Sequence, residues 1–74
     1  MTMETNEEMT RQISYYKDNN IAVHVEKNNG RFYNGLILEF QGDMIILDDE
    51  KLGPIPIYFL EIKFIEKRQN VKDR

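Results

Sequence analysis

A chain of 74 residues with no cysteine and one histidine makes one small domain, and it excludes disulfides, thiolate metal sites, a cysteine nucleophile and a zinc constellation. A formal net charge of -3 argues against a generic basic nucleic-acid binder, and the last nine residues, with four bases and two acids, are the only net positive segment. No apolar run approaches the roughly 18 residues of a membrane span, and MTMETNEEMTRQ lacks the basic start and apolar stretch of a signal peptide, so a soluble cytoplasmic protein is expected.

Taken in chain order, Thr5, Asn6, Glu7 and Glu8 fit a capping box in which Thr5 accepts from the Glu8 amide. Met9, Ile13 and Tyr16 follow at i, i+4 and i+7, a single apolar stripe predicting an amphipathic helix over about 5–18. Tyr15 and Tyr16 are expected to dock it, and Asn19 and Asn20 follow its end. The period then changes, since Ile21, Val23 and Val25 alternate with Ala22, His24 and Glu26 as in a half-buried strand. Asn28, Asn29 and Gly30 form a hairpin signal because Asn and Gly tolerate positive φ.

A long second strand is expected over 31–40, with Leu36, Leu38 and Phe40 on one face and a bend or bulge at Gly35. Gln41, Gly42 and Asp43 make the next turn, and 44–47 is a third strand. Residues 48–53 read as a solvated hairpin loop, 55–60 as a fourth strand and 62–65 as a fifth, with a very short junction near Glu61. Pro54 and Pro56 withhold two amides on one side of the fourth strand, which a strand tolerates only at an edge. One helix and five close strands define the fold class: mainly β, an N-terminal α-helix followed by a five-stranded, strongly bent antiparallel small barrel. Residues 1–74 form a single domain, with the barrel over about 21–66 and a tail over 67–74.

Chemistry-bearing patterns are few. Asp48, Asp49 and Glu50 read as solubility residues rather than a hard-cation site, and His24 reads as an exposed histidine on a polar face. Nothing pairs a nucleophile with a base, cradles a phosphate or sets two catalytic carboxylates together. No enzyme activity, cofactor or metal is expected. A core this small makes self-association the expected additional support.

The ordered combination VHVEKNNGRFYNGLILEFQGDMIILDDE and LGPIPIYFLEIKFIE resembles the two motifs of the Sm and Sm-like (LSm, Hfq-like) family. Gly30, Phe32 or Tyr33, Gly35, Phe40 and Leu47 match the first motif; Leu52, Gly53, Ile57, Ile62 and Ile65 match the second. The resemblance implies a closed homo-oligomeric ring in which the fourth strand of one subunit pairs with the fifth of the next. Ile57, Phe59, Leu60, Ile62 and Phe64 are the residues expected at that junction.

The same resemblance implies single-stranded RNA as partner, held by stacking bases on side chains and reading their edges. Gln41, Asp43, Met44 and Tyr58 stand at the equivalent positions. Two departures matter: the turn at Gln41 and Asp43 is one residue shorter than the family's, and Tyr58 and Phe59 stand where the family places Arg-Gly or Lys-His. Phosphate contacts need cations, and only Lys27, Arg31, Lys63 and those of the tail are candidates. The sequence thus leads to an Sm-like ring that binds RNA weakly or with altered base preference. The alternatives are a ring devoted to protein partners and a monomeric SH3-like adaptor.

Overall fold

The computed structural model describes residues 2–68, with side chains from Glu7 onward. Its elements are α1 (Thr2–Asp18), β1 (Val23–Lys27), β2 (Phe32–Gln41), β3 (Met44–Asp49), β4 (Gly53–Tyr58), a 3-10 turn (Phe59–Glu61) and β5 (Ile62–Lys67). No helix among the described residues is long and apolar enough to cross a membrane.

The helix starts earlier than the capping box predicts, since Met3 and Glu4 are good helix formers and extend it back to Thr2. Thr5 therefore lies inside α1; its side-chain bonding lies outside the described side chains. At the other end Ile21 N–H donates to Tyr16 O at 2.9 Å and Asn20 N–H to Lys17 O at 3.2 Å. Asn20 sits at φ 55°, so the pair forms a Schellman stop with Asn in the left-handed position. Ile13 is fully buried, and Met9 and Tyr16 pack against the core beside it. Tyr15 does not share in the docking, because it points off the stripe and is 59% exposed.

All five strands form one antiparallel sheet in the order β4-β3-β2-β1-β5. Val23, Val25, Ile37, Ile45, Leu47, Ile57, Ile62 and Ile65 join Ile13 in a single core. The expected face of Leu36, Leu38 and Phe40 is broken by a register shift between Ile37 and Glu39. The extra residue, Leu38, changes the phase. Ile37 and Phe40 consequently face the core, while Leu36 and Leu38 are exposed. Gly35 is not the bulge. It permits close approach of β3, because a Cβ there would lie 2.7 Å from the Asp48 carbonyl carbon.

The turn at 48–53 is also more ordered than a solvated loop. β3 continues through Asp49, which is buried. Its Oδ2 accepts from the Lys51 and Leu52 amides at 2.9 Å each, and its Oδ1 from the Asn34 amide at 3.0 Å. Gly53 then takes φ 82°, the left-handed geometry that only Gly adopts at no steric cost. β4 is an edge strand, as its prolines require, and β5 is the other edge.

Candidate nucleic-acid interface

Three neighbouring strands place the expected site residues in a line. Gln41 pairs with Met44 across β2 and β3, and Met44 pairs with Tyr58 across β3 and β4. Directly opposed residues of a sheet project to the same face, so Gln41, Met44 and Tyr58 form one row at the end of the sheet. Asp43 stands beside it in the turn, which Gly42 makes possible at φ 56°. The Asp43 carbonyl accepts the Phe59 N–H at 2.9 Å, fastening this turn to the end of β4.

The four residues differ in availability. Gln41 and Asp43 are exposed, Tyr58 is 47% exposed and Met44 is half-buried. Gln41 Nε2 donates to the Glu39 carboxylate, leaving its carbonyl oxygen as an acceptor. The row offers one aromatic face, one thioether and several hydrogen-bonding groups, with acids at Glu39 and Asp43. That inventory suits stacking and edge recognition of a base; it contains no cation for a phosphate.

Three cations elsewhere are paired with acids. Lys27 Nζ lies 3.3 Å from Glu61 Oε1 and 5.8 Å from the centroid of the Tyr33 ring. Lys63 is 3.9 Å from Glu26. Arg68 grips Glu50 with two bonds, Nε to Oε2 at 2.7 Å and Nη2 to Oε1 at 3.0 Å. This pair lowers the Glu50 pKa, chiefly through the Arg68 hydrogen bond, and raises that of Arg68 through the same bond.

The residues expected at a subunit junction fall into two groups. Ile57 and Ile62 lie in the protomer's own core, and Ile57 turns its backbone to β3, where it pairs with Ile45, so neither offers a side chain to a junction. Phe59 is half-buried and meets Phe40 edge to face at 5.4 Å. Leu60, 89% exposed, and Phe64, 37% exposed, keep apolar surface for a neighbour.

His24 has neighbours that its place in the sequence does not foretell. His24 is not a solitary surface histidine: its Nδ1 is 2.7 Å from Asn34 Oδ1, and its ring lies 5.4 Å from Phe32 and 6.0 Å from Phe64. The registers Glu26↔Phe32 and Glu26↔Phe64 assemble these rings on the outer face of β1, β2 and β5. Only the pairing of three strands could reveal the cluster, because the residues are distant in sequence. The acids Asp48, Asp49 and Glu50 do not converge, since Asp49 turns inward to backbone amides and Glu50 outward to Arg68.

No family model matches the sequence, and no curated protein matches it. Among solved structures the chain is similar to the pleiotropic translational regulator Hfq, with a TM-score of 0.69 and 23% identity over 76% of this chain and 92% of that one. The likeness is of an N-terminal helix followed by five antiparallel strands in one sheet. The protein therefore has the fold of Hfq, the Sm-like fold implied by its two motifs.

Proposed function

We propose that this protein forms a closed homo-oligomeric ring by pairing β4 of one subunit with β5 of the next, and binds single-stranded RNA at the Gln41, Met44 and Tyr58 row. Its work is binding rather than catalysis, in the cytoplasm. The observation that carries the reading is the strand order, which leaves β4 and β5 as open edges at opposite ends of one sheet. Such edges invite another strand, and a head-to-tail contact closes into a ring when the rotation permits. Leu60 and Phe64 supply apolar surface near the two edges. The likeness to a translational regulator supports RNA as the ligand.

Each ring repeats the row once per subunit, so weak single contacts gain from multivalency. Tyr58 stacks a base, while Gln41 and Asp43 read its edge. The second reading, a ring for protein partners, is favoured by the acids beside the row and by the pairing of Lys27, Lys63 and Arg68.

Fluorescence anisotropy of labelled oligo(U) and oligo(A) at two salt concentrations separates the readings. Micromolar or tighter binding that salt weakens and one base favours is the expected result. Tyr58→Ala then lowers affinity about tenfold, the scale of one lost base stack, with native mass unchanged. An unchanged affinity removes Tyr58 from the site. No binding by the wild type at low salt transfers the function to protein partners.

A further inference from the structure

The two open edges of the sheet are chemically unlike. Tyr58 N–H reaches Glu61 Oε1 at 3.4 Å, whereas Phe59 N–H donates at 2.9 Å to Asp43 O, in the turn that leads into β3. Amides two apart in a strand share an edge, so positions 54, 56 and 58 of β4 face away from β3. Two of these three are proline and carry no N–H. The outer edge of β4 therefore presents the Pro54 and Pro56 carbonyls without donors, while at Tyr58 the N–H has a side-chain acceptor and the carbonyl opens the 3-10 turn.

β5 has the opposite character. Arg68 N–H donates to Ala22 O at 2.9 Å, so the amides of Glu66 and Phe64 also face β1. Ile65 and Lys67 turn their N–H and C=O groups to the open side. That edge holds the two spaced donors that the carbonyls of β4 can accept. Antiparallel pairing would also bring Lys67, at the end of β5, towards the start of β4, where exposed Asp48 lies opposite Pro54.

We propose that Pro54 and Pro56 select the mode of assembly: β4 accepts the β5 edge of a second copy and rejects a second β4. A β4 to β4 contact would oppose strands that both lack donors at 54 and 56. It leaves their carbonyls without partners, a costly arrangement when buried. A β4 to β5 contact keeps the bonds donated by β5 and loses only those that proline cannot give. The price of this selectivity is a looser junction, with about half of the ladder bonds at those positions. This inference rests on the ring reading for its occupant, but the proline effect is separable from it.

The test compares the wild type, Pro56→Val and the double variant P54V/P56V by sedimentation velocity and native mass over a dilution series, with circular dichroism as the check of folding. The wild type is expected to interconvert between ring and monomer without a dimer. Pro56→Val lowers the dissociation concentration on the order of tenfold, as one restored bond implies, and the double variant adds a dimeric species. Folded variants that assemble no more tightly than the wild type, and without dimers, overturn the proposal while leaving the ring intact. A wild type that stays monomeric while the variants associate removes the ring reading and sustains the proline effect. Monomers throughout remove both.

Discussion

The two turns at the ends of β3 look alike in sequence and behave differently. Each combines acid with glycine: Gln41, Gly42 and Asp43 at one end, and Asp48 through Gly53 at the other. Asp43 is exposed, and its carbonyl rather than its carboxylate ties the turn to Phe59. Asp49 is buried, and its carboxylate gathers three backbone amides, two from its own turn and one from β2. An acid in a turn thus has two fates, set by whether a neighbouring strand presents donors to it. β2 does so at Asn34, whose backbone also accepts the Glu50 amide at 2.8 Å. One end of β3 therefore commits its carboxylate to holding the sheet together, and the other leaves its carboxylate exposed.

Substitution at the two acids should break this contrast most visibly. Asp49→Ala removes the common acceptor of three amides and leaves donors at a poorly hydrated position. It should destabilise the fold by roughly 2 to 3 kcal/mol, read from the urea midpoint at constant slope. Asp43→Ala should change stability by less than about 0.5 kcal/mol, as surface substitutions generally do, yet reduce oligonucleotide affinity. Equal losses of stability at the two positions would contradict the division of labour.

Acidity sharpens the comparison with a smaller effect. Burial is the largest single influence on the Asp49 carboxyl and opposes its ionisation, but the Leu52, Lys51 and Asn34 amides, with the Lys51 charge, together outweigh it and hold the pKa below 3.8. The unfolded chain then binds the proton more readily than the folded one. Stability from Asp49 is fully present above the unfolded value and is lost as pH falls through the folded value. Urea midpoints measured from pH 6 downward should fall in the acid limb, and Asp49→Asn should flatten that limb. An Asn variant with an unchanged acid limb would assign the loss to other carboxylates.

Much of this architecture was legible in local patterns. The stripe of Met9, Ile13 and Tyr16, the Asn-Asn-Gly turn and the edge position of β4 follow from periodicity, backbone tolerance and the missing proline amides. What escaped depends on register. The bulge at Leu38 changes which of Leu36, Ile37, Leu38 and Phe40 reach the core, and no property of those residues announces it. The burial of Asp49 depends on an amide from β2, 15 residues away. The candidate row was legible as residues but not as a line, because Gln41, Met44 and Tyr58 meet only through two successive pairings. The contact of His24 with Phe32 and Phe64 likewise needs three strands in place.

The smallest expected effect concerns Arg68, which Glu50 holds at the structural end of β3. Glu50→Gln removes the charge partner and releases a guanidinium to solvent. Exposed ion pairs add little to stability because water and salt screen them, so the urea midpoint should scarcely move. The informative readout is oligonucleotide affinity. Glu50 follows Asp49 at one end of β3, and Met44 begins the other, so a freed Arg68 stands away from the row proposed to stack the base. Affinity should therefore change by less than about twofold, the scale of a distant charge at physiological salt. A much larger gain, with a steeper salt dependence, would mean that phosphate attraction over the whole surface governs binding, and that the row adds little selectivity of its own.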